Sequence, residues 1–537
     1  MFREYLDQLA AWLMKKQNAG SPHPEQGNTP SAPKQSLKEN MTLIKGILGD
    51  SNDVIYREFS FGQGHTCSAG IVYIDGLTNT KLINECIIEP MMYRSQQLPL
   101  NQNGAPLTLD DIERSFVTIA ETKQSDIIED VVDGVLSGDT VLFVDGISKV
   151  LVMSTRGWEK RGIEEPGNET TIKGPREGFS ESLRTNTSLL RRKMKNPDLA
   201  FESVIIGRKT RTTVMLCYIK GLASDSVLTE LRTRLGKVST DSILSAGMLE
   251  QSISGNPYSP FSTMNNSEKP DVVAGRLLEG RVAIIIDGTP FVMTVPMFFM
   301  ESFQTSEDYN ISPFFSSFLR LLRYISFSIS VLAPAVYVAL TTFHQELIPT
   351  PLLYSMTIAR EGVPFPAVIE ALILLLAFEI IREAGIRLPR PVGQAISIVG
   401  ALVMGQSAVA AGLVSAPLVI MVAITAVANF VVPMQADAAT LMRYILLILG
   451  AWMGGVGIVT GLLMILIHLS GIRSFGVPFL SPYAPLQPSD LKDSFIRLPM
   501  WMMIRRPAML AKNDQKRADI VLPDNNDKQN KANNSNN

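Results

Sequence analysis

The stretch from Leu321 to Ile472 is almost entirely apolar, yet it follows some three hundred residues of ordinary mixed composition. A helix needs roughly 20 apolar residues to cross about 30 Å of hydrocarbon. Five windows meet that length: Leu321 to Phe343, Val363 to Ile381, Val392 to Ala411, Leu413 to Met434 and Leu441 to Leu469. No single soluble core explains five such runs in succession. The pattern predicts an all-α polytopic membrane domain behind a large soluble N-terminal half.

Composition sharpens the division. The 537 residues are 46% hydrophobic and 19% charged, with a mean hydropathy of +0.16, and these averages conceal a charged front and a nearly chargeless back. At least two domains are expected. A net charge of -2 lacks the basic surface that a polyanion needs, so nucleic acid is not an expected partner. Cys67, Cys86 and Cys217 all lie in the front half without CxxC spacing, which reads as reduced, buried thiols. The four histidines, His23, His65, His344 and His468, have no metal-ligand spacing, and no GxSxG, HExxH or Walker pattern occurs. Neither an enzyme nor a cofactor is expected.

At the front, Met1 to Lys16 lacks a signal-peptide pattern and spaces its apolar residues as a short amphipathic helix, which keeps the soluble half cytoplasmic. Gln17 to Gln35 reads as a flexible linker and Asp514 to Asn537 as a disordered tail.

The soluble half contains an internal duplication. IVYIDGL (Ile71 to Leu77) resembles MLCYIKGL (Met215 to Leu222), and LSGDTVLFVDG (Leu136 to Gly146) resembles LEGRVAIIIDG (Leu278 to Gly288), in the same order and at similar spacing. Each copy alternates strand and helix patterns, so the expectation is an α/β soluble region made of two similar subdomains. They span 41–160 and 201–305, separated by a linker helix within 161–200, preceded by 1–40 and followed by a membrane domain over 306–510 and a tail over 511–537. Asp145-Gly146 and Asp287-Gly288 sit between apolar runs and predict hairpin turns. Turn chemistry also accounts for Asp75, which weighs against reading these aspartates as metal or catalytic carboxylates. The segment Lys173 to Lys193 has a Ser180-Glu181 pair and a basic helix that suggest phosphate capture, but GxxxxGK spacing is missing. The alternative is a linker helix with a solvated basic face.

In the membrane half, Arg320 and Arg323 at the start of the first window, and Arg382, Arg387 and Arg390 after the second, place those ends in the cytoplasm. The tail is basic too, so both ends lie on one side and the number of crossings must be even. Five windows break that parity. One is expected to be broken or re-entrant, either the glycine-rich third or the long fifth, leaving four to six membrane segments. The third window carries Val399, Val403, Gln406 and Ala410 on one helical face, a small-residue surface that suits either a pore lining or close helix packing. Glu370 inside the second window should face protein or water, because a charge at mid-membrane costs on the order of 3 kcal/mol. Glu379, Arg382, Glu383 and Arg387 form a candidate coupling loop, for which i to i+3 and i+4 pairing is an adequate structural account.

Three long segments carry a family resemblance: EIIREAGIRLPRPVGQAISIVGALVMGQSAVAAGLVSAP (Glu379 to Pro417), SFGVPFLSPYAP (Ser474 to Pro485) and KGPREGFSESLRTNTSLLRRK (Lys173 to Lys193). The chain resembles the A subunit of the GerA-family spore germinant receptors from about Asn52 to Pro507. The resemblance implies a multi-pass protein of the spore inner membrane with its soluble region facing the spore core. It implies a transporter-like B subunit, to which nutrient binding is attributed, and a lipoprotein C subunit as partners. It also implies a homo-oligomer in membrane lipid that forms a nutrient-gated channel for monovalent cations. Two alternatives stand beside this: a secondary transporter that uses Glu370 for coupling, and an auxiliary channel or scaffold without its own nutrient specificity.

Overall fold

The structure, a computed structural model, describes residues 32–97, 108–158, 165–167, 169, 171–387, 405–488, 490–511 and 514–517. The expected Met1 to Lys16 helix and most of the expected linker and tail lie outside them. The described residues form two compact units: one contains the front half, residues 264–296 and the chain from 498 onward, and the other contains 254–263 and 297–497.

The first unit holds the duplication as two five-stranded antiparallel sheets of identical strand order. Sheet one comprises β1 (Val54–Phe61), β2 (Cys67–Ile74), β3 (Thr122–Ser125), β4 (Thr140–Val144) and β5 (Val150–Met153), ordered β1-β2-β4-β5-β3. Sheet two comprises β6 (Leu199–Ile206), β7 (Thr212–Ile219), β8 (Asn265–Ser267), β9 (Val282–Ile286) and β10 (Val292–Val295), ordered β6-β7-β9-β10-β8. The central strands are apolar without alternation because both faces are covered. Val141 and Phe143 pack against helices α1 (Leu37–Leu48) and α2 (Ile128–Leu136), while Leu142 and Val144 pack in a cluster with Ile83, Ile87, Met91, Leu109 and Ile112.

Both Asp-Gly pairs form the expected turns, with Gly146 at φ 85° and Gly288 at φ 86°. Their carboxylates also bind helix starts. Asp145 Oδ1 accepts the Leu37 N–H (2.9 Å), and Asp287 Oδ1 accepts the Leu183 N–H (3.3 Å) at the start of α3 (Leu183–Lys193). Buried Asn40 and Asn186 repeat a second device, each closing a loop through the N–H and C=O of Lys34 or Ser180. Thus α3 is the second copy's equivalent of α1, and α4 (Asp225–Lys237) and α5 (Pro270–Leu277) follow it in the second copy. Asp287 and the Ser182 side chain take the Leu183 and Thr185 amides at the start of α3, so those two donors are already bonded within the protein.

The solvated basic face expected of α3 is present only in part, with Arg184 exposed. Arg191 is 1% exposed and donates Nε to Asp53 Oδ2 (2.7 Å) and Nη2 to Asp53 Oδ1 (3.0 Å), tying the second copy to the first. Arg184 pairs with Asp75, and Arg192 and Lys193 pair with Glu177. Ser51 Oγ accepts the Phe201 N–H and Asn52 N–H donates to the Phe201 carbonyl, so the two copies also share backbone bonds. The thiols divide: Cys217 is buried, and burial pushes its pKa up, whereas Cys67 and Cys86 are half-buried.

The second unit is helical. Among the described residues, two helices are long and apolar enough to cross a membrane, α6 (Pro313–Thr342) and the run Pro433–Gly471. Between them lie α7 (Thr350–Arg360), α8 (Ala367–Arg387) and the short apolar α9 (Ala416–Phe430), and α10 (Ala436–Gly471) ends the bundle. The first, second, fourth and fifth windows correspond to α6, α8, α9 and α10. Most of the third lies outside the described residues.

α10 is not straight. Gly454 has φ 61° and ψ -138°, a conformation that a residue with a Cβ avoids, and the chain turns back there. A Cβ on Gly461 would come within 2.5 Å of the Leu446 side chain, although 15 residues of straight helix span about 22 Å. The ends agree with a fold-back alongside α6. Gln435 bonds Ser302 before the start of α6, Gly455 N–H donates to His344 Nε2 (3.1 Å) just past its end, and Ser474 accepts the Met297 N–H back near the start. Each arm, 436–453 and 455–471, is about 25 Å long, close to a membrane thickness.

Two outcomes are expected in the first unit. Arg191→Met leaves Asp53 buried without its cation and lowers stability by about 3–5 kcal/mol in denaturant titration, with most of the loss recovered when Asp53→Leu is added. Alkylation of the native protein modifies Cys67 and Cys86 well before Cys217, which reacts only on unfolding.

Candidate functional site

Four helices of the second unit converge on one arginine. Arg443 lies on the first arm of α10, as the only Asp, Glu, Lys or Arg between Asp437 and Arg473, and is 0% exposed. Its Nε donates to the Ser330 carbonyl (2.7 Å) and its Nη2 to Ser330 Oγ (2.9 Å), both on α6. Ser330 Oγ in turn donates to Asn429 Oδ1 on α9 (3.0 Å), and Arg443 Nη1 reaches Glu379 Oε1 on α8 at 3.4 Å. Glu379 also pairs with Arg382 at 2.6 Å. In an apolar bundle such a cation is tolerable only when every donor is met by protein. The network therefore fixes which faces of α6, α8, α9 and α10 pack together.

Glu370 occupies a second polar position, in the first turn of α8. It is fully buried, accepts the Ser415 N–H at the start of α9 (3.0 Å) and faces Arg360 Nη2 of α7 at 3.4 Å. A carboxylate at a helix N-terminus is favoured by the exposed amides and by the dipole. Glu370 thus faces protein, with a cation and an amide as partners.

A third cluster holds the start of α6. Arg320 and Asp308, both 0% exposed, pair at 3.0 Å. Arg323 also bonds Asp308, and Arg320 reaches Asp493 at 2.7 Å. The Tyr309 ring lies between the Arg320 and Arg497 guanidinium groups, at 5.6 and 5.3 Å, an arrangement that cation–π attraction favours. Arg320 and Arg323, from which the sequence predicts a cytoplasmic end, clamp the start of α6.

Of the remaining candidates, Glu383 and Arg387 form an exposed i to i+4 pair at 2.7 Å. Gln406 and Ala410 lie four residues apart on one exposed side of the helical stretch 405–410. Val399 and Val403 lie outside the described residues. Sequence reading missed Arg443, Ser330 and Asn429, although a lone arginine inside an apolar window was a signal available to it. Among the described residues, no group of three or more His, Cys, Asp or Glu side chains is placed to hold a metal ion. The arrangement positions the helices of this unit against one another.

Residues 42–509 match the family described as Bacillus/Clostridium GerA spore germination protein. The chain is 44% identical to spore germination protein KA of Bacillus subtilis (strain 168), covering 90% of this chain and 88% of that one. It is 41% identical to the uncharacterized membrane protein YfkQ of the same organism, over 90% and 93% of the two chains. It is 39% identical to spore germination protein GerLA of Bacillus cereus, over 89% and 96%. It is also similar to the crystal structure of the N-terminal domain of the A subunit of the Bacillus megaterium spore germinant receptor GerK3, with 41% identity and a TM-score of 0.41, covering 51% of this chain and 99% of that one.

Glu379→Gln removes the anion and leaves Arg443 buried, so it is expected to cost more than Arg443→Leu, on the order of 3 kcal/mol. Thermal unfolding of the detergent-solubilised protein measures the order of the two variants.

Proposed function

This chain belongs to the GerA family of spore germination proteins, and from that premise we propose that it is the A-type subunit of a nutrient germinant receptor in the spore inner membrane. Its soluble half faces the spore core. Copies of the chain assemble about a common axis with a transporter-like B subunit and a lipoprotein C subunit, and the assembly releases monovalent cations when a nutrient is sensed.

The observation that carries this reading is the family match across most of the chain, joined to a bundle whose apolar helices surround a fixed polar network. The fold-back at Gly454 supports the even crossing number that the charge distribution demands, because the fifth window then contributes two passes. With the third window counted, the proposal is six crossings. Val399, Val403, Gln406 and Ala410 of that window line the pore, with Val403 at the apolar constriction. The Glu379 to Arg387 segment precedes it and couples it to the Arg443 network. The similarity to YfkQ, described only as a membrane protein, keeps one second reading: an auxiliary channel that works without B and C subunits. Co-purification from spores separates the two, since a receptor subunit brings B and C with it.

Val403→Ala widens the proposed constriction. Receptors carrying it and reconstituted into vesicles should leak monovalent cations several-fold faster without nutrient, and spores should germinate more readily. An unchanged flux argues against the assignment of this helix to the pore.

A further inference from the structure

The connection between α6 and α8 carries a helix poorly suited to water. None of the 11 residues of α7 is buried, yet no exposed position from Thr350 to Ala359 is charged. A helix facing water ordinarily presents charged side chains on that side. Instead, Leu352, Tyr354 and Ile358 are 53%, 70% and 53% exposed.

Its hydroxyls point the same way. Ser355 Oγ donates to the Pro351 carbonyl (2.9 Å) and Thr357 Oγ1 to the Leu353 carbonyl (2.8 Å), so both are satisfied within the helix and need no solvent. The one charged side chain, Arg360, turns inward onto buried Glu370. Exposed apolar side chains also occur on the neighbouring elements, Phe343 at the end of α6 and Ile369 and Ile373 on α8, while the exposed charges Glu346 and Glu361 stand outside α7 in its connections. Lipid would cover those flanks of α6 and α8, and α7 is the short segment that joins them.

We infer that α7 is an interfacial helix, seated at the boundary between lipid headgroups and acyl chains, with the Arg360–Glu370 pair fixing its rotation. The inference rests on the membrane reading of this unit and adds a lipid contact to it. Amphipathic segments bind this boundary by burying one apolar side to a shallow depth, and Tyr354 suits that depth because its ring is apolar and its hydroxyl polar.

The test uses the full-length protein with Cys67→Ser and Cys86→Ser, reconstituted in phosphatidylcholine vesicles, with a nitroxide on Leu352→Cys, Tyr354→Cys or Ile358→Cys. Ile445→Cys, on the first arm of α10, serves as the deep reference. Collision of the α7 labels with oxygen should exceed collision with a water-soluble nickel chelate several-fold, at a shallower depth than residue 445. Chelate access at α7 alone overturns the inference in favour of a water-exposed helix. Protection from both reagents overturns it in favour of contact with another protein copy. Chelate access at residue 445 as well removes the membrane reading itself.

Discussion

An arginine buried inside an apolar bundle dictates much of the helical unit. The Arg443 guanidinium carries five N–H donors and no acceptor, so burial forces the surrounding helices to supply acceptors. Ser330 provides a carbonyl and a hydroxyl, and Glu379 provides the charge. Each acceptor comes from a different helix than Arg443 itself. The arginine thereby selects one packing of α6, α8 and α10 from the many that apolar side chains alone would permit, and Asn429 brings α9 into the same network.

The fold-back at Gly454 completes that packing. It brings α10 against α6, where Gly450 meets Ala335, and its two arms against each other, where Gly450 receives Ile458 and Gly461 receives Leu446 and Leu449. Such a bundle is held by van der Waals fit and by few polar contacts, so a shift of α8 strains the Glu379–Arg443 contact directly. The first unit uses comparable means in an aqueous setting: Arg191 and Asp53 join two copies of one sheet architecture through a buried ion pair.

What the sequence made legible followed the range of the forces involved. The Asp145-Gly146 and Asp287-Gly288 turns were readable because turn chemistry is local, and the paired apolar runs exposed the duplication. The role of α3 was hidden, since Arg191 reads as a solvated charge until Asp53, 138 residues away, is brought beside it. A short repeat, Gln35 to Asn40 against Glu181 to Asn186, would have revealed that α3 answers to α1. The glycines of the fifth window marked it as breakable, but only the positive φ at Gly454 fixed where. Arg443 was overlooked because hydropathy averages dilute one charge among many apolar neighbours.

If this chain forms the conducting part of a receptor, current through a planar bilayer containing the purified protein with its partners should show unitary steps carried by monovalent cations, opening on nutrient addition. Saturable, Glu370-dependent uptake without unitary steps would exclude that role.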